Sequence, residues 1–196
     1  MSDNRSLLKL NLGCGHNRKD GWVNVDRMPD CNPDIVHDLE RFPWPFDDDS
    51  VGEIMLTHAL EHLGESSETY LCIIRELYRV CAHEATIYID VPHPRHDHYL
   101  YDPTHVRPIT VGGLQVFDQA LNRKLTSEGY ANTPLGIYLG VDFRIKNFRY
   151  TIDSYYEDKM KRGEIQLEEI IEMTRTHNNV CQEIHIEWVV VKGQHS

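Results

Sequence analysis

Residues Leu10–Asp26 read LNLGCGHNRKDGWVNVD, and this stretch decides the fold. The apolar run Leu7, Leu8, Leu10 and Leu12 has the character of a strand and stops at Gly13-Cys14-Gly15. Two glycines there permit a tight turn and let backbone approach a ligand that any Cβ would push away. A second run, Trp22-Val23-Asn24-Val25, closes on Asp26. That order places a carboxylate at the carboxyl end of a neighbouring strand, where ligands of open α/β sheets bind and where it can accept hydrogen bonds from both hydroxyls of a ribose.

The spacing narrows the ligand. A dinucleotide fold sets its acidic residue roughly 20 residues beyond the glycines, with a full helix between whose amino end holds the pyrophosphate. Here only His16 to Trp22 separates the second glycine from the next strand, room for about one or two helical turns. A nicotinamide dehydrogenase would use the same sheet and the same carboxylate, but the missing phosphate helix and the lack of Gly-x-Gly-x-x-Gly tell against it. An adenosine cofactor that carries no phosphate would not miss that helix.

Four motifs in order carry a resemblance. After LNLGCG and GWVNVD come Asp34-Ile35-Val36-His37-Asp38-Leu39, then Phe42 to Val51 (FPWPFDDDSV), then Glu53 to Leu63 (EIMLTHALEHL) with its His-x-x-Glu-His. In these the chain resembles the class I S-adenosylmethionine-dependent methyltransferases, in particular the small type 11-like ones, over about its first half. The resemblance implies a Rossmann-like α/β sandwich with a mostly parallel central sheet and a shortened first helix. It implies S-adenosylmethionine as cofactor, with Leu12, Gly13, Cys14 and Gly15 at the turn and Asp26 on the ribose. Asp38 and Leu39 would face adenine, and His58 would line the methionine end.

Composition agrees with one enzyme-sized domain over residues 1–196, with a cofactor-binding half at 7–91 and an acceptor loop and C-terminal half at 92–196. The start, MSDNRSLLK, lacks the apolar segment of a secretory signal, and no run reaches the ~18 apolar residues of a membrane span, so a cytoplasmic chain is expected. Five scattered cysteines without a C-x-x-C pair indicate neither a disulfide framework nor a zinc site. A net charge of -11 repels phosphate backbones and favours a small-molecule acceptor over nucleic acid. Arg144, Lys146, Arg149, Lys159, Lys161 and Arg162 make the later region locally basic, which solvated side chains explain.

Periodicity supplies the remaining elements. Leu71, Ile74, Leu77, Tyr78 and Cys81 recur at helical spacing from Ser67 to Cys81, and Ala85 to Val91 alternates as a strand before Pro92. Residues 92–110 read as a long loop of the kind that carries function. Val111 to Leu121 reads as a short helix and Leu135 to Phe148 as a strand with its approach. Ser154 to Arg175 reads as one amphipathic helix, with Met160, Ile165, Leu167, Ile170, Ile171 and Met173 inward. This C-terminal helical insertion precedes a terminal strand at Val180 to Val191.

Methyl transfer from a sulfonium is an in-line displacement, so the protein chiefly aligns donor and acceptor and, for a hydroxyl, removes a proton. Histidine suits that task because its pKa lies near neutrality. Tyr101 to Pro108, YDPTHVRP, resembles a signature associated with methyltransferases of glycan and sugar-type acceptors. His105 is therefore expected as general base, oriented by Asp102, with His58 at the donor end. His62, His93 and Arg107 are expected on the acceptor, a small, hydroxylated, saccharide-like molecule. His93, His96, His98 and His105 lie in the loop at spacings that match no usual zinc pattern, and no metal is expected. Other readings stay open: a cofactor-binding scaffold without turnover, or a nucleic-acid or protein acceptor.

Overall fold

Residues 6–193 are described by the computed structural model; residues 1–5, part of the start read above as leaderless, lie outside them. The chain opens with strand β1 (Leu8–Leu12), β2 (Val23–Asp26), the short β3 (Ile35–Val36) and β4 (Val51–Thr57). Helix α1 (Ser67–Val80) leads directly into β5 (Cys81–Pro92). Then follow α2 (Asp97–Leu100), α3 (Val111–Gln115), α4 (Gln119–Ser127), α5 (Leu135–Leu139), β6 (Phe143–Ile152), α6 (Ser154–Lys161), α7 (Leu167–Thr176) and β7 (Cys181–Val190).

The strands form one sheet of seven in the order β3-β2-β1-β4-β5-β7-β6. The first five are mutually parallel, and β7 runs antiparallel to both of its neighbours. The order reverses at β1, whose neighbours are β2 on one side and β4 on the other, so the carboxyl ends of β1, β2 and β4 open the crevice where such sheets bind ligands.

Sequence pattern explains which face is covered. Helix α1 starts at Ser66, whose side chain accepts from the amide of Thr69, and it turns Tyr70, Ile73, Ile74, Leu77 and Val80 inward. These join one core with Leu10, Leu12, Ile54, Leu56, Ile87, Ile89, Leu114, Phe117 and Trp188. Trp188 stacks on Phe143 with ring centroids 3.9 Å apart and planes at 14°. Along β4, β5 and β7 the buried residues alternate with half-buried ones such as Met55, Thr57, Tyr88, Asp90, His185 and Glu187. The second face of the sheet is thus written in polar residues rather than packed as a full core.

The expected shortened first helix is absent altogether: among the described residues no α-helix precedes α1. A polar network holds the connector instead. Buried Asn24 accepts from the side chain of Asn11 (2.9 Å) and the amide of Lys19 (2.7 Å), and it donates to the carbonyls of Lys19 and Trp22. Asp34 accepts from both the amide and the side chain of Asn24 and from Arg18, at 2.6–2.8 Å. The amide of Asn24 lowers its carboxyl pKa first, then Arg18, bringing it to about 2. Lys19 also lies over the Trp22 ring, 4.5 Å from its centroid.

Two of the expected helices are divided. The single helix over 154–175 is two, broken at Gly163, whose φ of +71° no continuing helix adopts. Of its expected inward residues Ile170 is buried, whereas Leu167 and Ile171 are exposed. The helix expected at 111–121 is also two, since Asp118 starts α4 afresh by accepting from the amide of Leu121.

Candidate active site

A cleft of about 430 Å³ lies over the carboxyl ends of β1, β2 and β4. Its floor is the glycine turn. Gly13 has φ +67° and Gly15 φ +49°, and the two do different work. A Cβ on Gly13 would meet Cβ of Ala59 at 2.8 Å, so this glycine permits close packing against the segment after β4. A Cβ on Gly15 would meet nothing within 4 Å, so this glycine faces open cleft.

Asp26 is fixed before any ligand arrives. Its Oδ2 accepts the amide of Gly15 and its Oδ1 the amide of Met28, each at 2.8 Å. Each carboxylate oxygen keeps a further lone pair, so two hydroxyls can be received side by side. Asp38, Leu39 and His58 also line the cleft. Leu12 and Cys14 do not: both are buried beneath the turn, and burial pushes the Cys14 thiol pKa up. Met28, Cys31, His37 and Val106 line it too and were not singled out in the sequence. Met28, an apolar residue two positions after the strand-ending acid, was the signal available.

A second cleft of about 360 Å³ adjoins the first, lined by Glu61, His98, Tyr101, Asp102 and His105 among others. His58 and His62 line both. His58 follows β4 directly in a left-handed conformation, φ +50°, while its amide still donates to the carbonyl of Asp90. This sparsely populated backbone state aims the imidazole into the space between the clefts. The Glu61 carboxylate, 3.5 Å from Nδ1, raises the pKa of His58 against the opposing effect of burial, and Glu183, 3.2 Å from Nε2, and Asp90 add to the rise.

The loop residues are arranged differently from the expectation. Asp102 does not orient His105: Oδ2 stands 3.8 Å from Nε2. Its Oδ1 instead accepts from the amide and hydroxyl of Thr104, an Asx turn, and these bonds hold its carboxyl below the usual range. His105 Nδ1 donates to the carbonyl of Tyr99 at 2.7 Å, with the ring stacked on Tyr99, so a backbone carbonyl sets its tautomer. Arg107 points away. Its guanidinium lies over the Tyr70 ring at 4.3 Å and donates to the carbonyl of Gly64, lining a separate cavity with Leu71 and Ile109. Adjacent residues diverge here because the amides of Val106 and Arg107 both turn in to the carbonyl of Glu61. His93 also stands apart from both clefts, accepting from the amide of Arg95 with its ring edge toward Tyr150. Burial, then Arg95 and His96, lower its pKa.

No family model matches the chain, and no curated protein matches it in sequence. Solved structures do match in fold. A SAM-dependent methyltransferase from Archaeoglobus fulgidus superposes with a TM-score of 0.59 at 20% identity, covering 94% of this chain and 86% of that one. The YcgJ protein from Bacillus subtilis superposes with a TM-score of 0.54 at 13% identity, covering 98% and 95%. The chain has the SAM-dependent methyltransferase fold. Within that fold, the cleft at the reversal of strand order is the one carrying Gly15 and Asp26. No helix among the described residues is long and apolar enough to cross a membrane.

Proposed function

We propose that this chain is an S-adenosylmethionine-dependent methyltransferase that methylates a hydroxyl of a small, saccharide-like acceptor. The observation that carries the reading is the preset Asp26 carboxylate in a cleft that shares His58 and His62 with a second, polar cleft. The residues fit an adenosyl cofactor. Asp26 would hold the ribose hydroxyls, Gly15 leaves room at the turn, and Asp38 and Leu39 would flank the base. When bound, the cofactor supplies an electrophilic methyl group on a sulfonium.

The chain's own part is alignment and proton removal. His58, standing between the clefts, is the proton acceptor in this reading, in place of the more enclosed His105. Glu61 and Glu183 on either side favour the imidazolium that results. His62, His98, Tyr101, Gln182 and Glu183 offer donors and acceptors of the kind hydroxyl-rich molecules need. The net charge of -11 disfavours a polyanionic acceptor. Residues 1–196 act as a single unit, with the cofactor held by the first half and the acceptor by the loop after β5.

Calorimetric titration with S-adenosylhomocysteine, with NAD in parallel, tests the first step. Saturable adenosyl binding that Asp26→Ala abolishes in a folded protein supports the reading, and transfer of labelled methyl to hydroxylated acceptors then tests His58→Ala. Binding of NAD alone, or of neither ligand, overturns it.

A further inference from the structure

Glu61 is the most anomalous side chain in the molecule. Its exposure is 0%, and neither carboxylate oxygen has a partner at hydrogen-bond geometry; His58 Nδ1 approaches Oε1 only to 3.5 Å. One imidazole at 3.5 Å compensates a buried carboxylate incompletely, so a further partner opposite it is favoured. Two imidazoles face the same space: one donor atom each from Glu61, His62 and His105 lies within 4.8 Å of the others.

The hydrogen-bond network assigns the tautomers of both rings. His105 Nδ1 bonds a carbonyl, that of Tyr99, and so carries the proton, leaving Nε2 with its lone pair. His62 Nδ1 lies 2.9 Å from the hydroxyl of Thr104, and that hydroxyl already donates its only proton to Asp102 at 2.6 Å. Nδ1 of His62 must therefore donate, and Nε2 again keeps a lone pair. The two rings thus offer lone pairs rather than protons to the Glu61 carboxylate, which His58 Nδ1 approaches only to 3.5 Å. Imidazoles whose other nitrogen donates to a carbonyl, or to a hydroxyl backed by a carboxylate, are the usual outer-shell arrangement of metal-binding histidines.

We propose that Glu61, His62 and His105 bind one first-row divalent cation of the zinc class, whose open coordination positions face the second cleft. Two imidazoles and a carboxylate suit zinc, cobalt, nickel or ferrous iron rather than magnesium or calcium, which favour all-oxygen shells. Bonds of about 2.1 Å at tetrahedral angles set ligand atoms ~3.4 Å apart, so binding draws the three inward. The carbonyl of Glu61 already ties the 105–107 loop to the turn after β4 through the amides of Val106 and Arg107. That tie brings together ligands widely separated in sequence. The inference stands on these side chains and does not depend on methyl transfer.

The test uses the full chain, stripped with a chelator. Co²⁺ is titrated with visible absorption as readout, and Zn²⁺ by calorimetry and by competition with Co²⁺. One saturable equivalent is expected, lost in Glu61→Gln, His62→Ala and His105→Ala and retained in His93→Ala and His98→Ala. Thr104→Val, which frees the His62 tautomer, weakens binding by about 10–100-fold. Zn²⁺ also raises the melting temperature of the wild type and of His98→Ala but not of His105→Ala, which keeps the test decisive if one ligand variant fails to fold. No saturable binding by the wild type, or binding that survives all three ligand variants, overturns the proposal. S-adenosylhomocysteine titrated into the same metal-free protein reports the adenosyl cleft by itself, so either reading can fail alone.

Discussion

Replacing Asn24 with alanine should show what stands in for the missing first helix. The Asn24 side chain has five polar partners: its Oδ1 accepts from Asn11 and the amide of Lys19, and its two amide protons are shared among the carbonyls of Lys19 and Trp22 and the carboxylate of Asp34. Lys19, Trp22 and Asp34 can turn to water when released. Asn11 cannot, because its exposure is 5%, although it keeps its bond to the carbonyl of Asn17. An unsatisfied buried partner costs about 1–3 kcal/mol, and the lost net bonds at the rim add a fraction each, giving roughly 2–3 kcal/mol in all. For a chain of this size each kcal/mol lowers the melting temperature by about 2–4 °C, so a fall of roughly 5–10 °C is expected. Thermal melting by circular dichroism measures it. The same variant should bind S-adenosylhomocysteine about tenfold more weakly, the equivalent of ~1.4 kcal/mol of lost preorganisation at Gly15 and Asp26. A melting temperature equal to that of the wild type would refute the claim that this network, rather than packing, holds the connector.

Three further outcomes follow from separate parts of the structure. Gly13→Ala should destabilise more than Gly15→Ala. Both bear a left-handed penalty of about 1–2 kcal/mol, but only Gly13 adds a 2.8 Å clash with Ala59, worth a further ~1–3 kcal/mol; equal melting temperatures would count against the packing role. Asp34→Asn should lower the melting temperature at pH 6, and the gap from wild type should close as pH falls. The Asp34 carboxyl is depressed from 3.8 to about 2 by the amide of Asn24 and by Arg18, so its contribution is complete above pH 4 and is lost on descent through pH 2. A gap that widens toward acid would refute this sign. Arg79→Lys should destabilise despite keeping the charge, because Arg79 bonds Glu76 through two nitrogens and also reaches Asp48 and the carbonyls of Trp44 and Phe46. Denaturant unfolding with an unchanged midpoint would show that one ammonium suffices.

What the sequence disclosed was local. The strand, glycine turn and acid of residues 10–26 needed only neighbours to be legible, and α1 announced itself by its apolar period. What it hid was long-range. Asn24 looked like one polar residue between two valines of a strand, and nothing in its surroundings named Asn11 or Asp34 as partners. His105 and Arg107 stand two apart and are expected at one site, as base and as acceptor clamp, yet the turn toward Glu61 sends one ring to Tyr99 and the other side chain to Tyr70. The helical period ran unbroken through Gly163 because hydrophobic spacing does not register a left-handed backbone. Histidine spacing within the loop does not disclose the convergent group, which takes Glu61 and His62 from the turn after β4 and only His105 from the loop.

The shortened connector has a consequence for ligand choice beyond the loss of a phosphate site. A helix after the first turn would hold the connector by its own hydrogen bonds and place an amino-terminal dipole at the glycines. Here Asn24 anchors the connector to the floor of β1 and β2, and Asp26 takes the amides of Gly15 and Met28. The positive end that would welcome a pyrophosphate is replaced by a carboxylate with two amides already on it. That exchange favours a neutral sugar with adjacent hydroxyls over a phosphate at this point, and it does so through residues that double as the structural support of the turn.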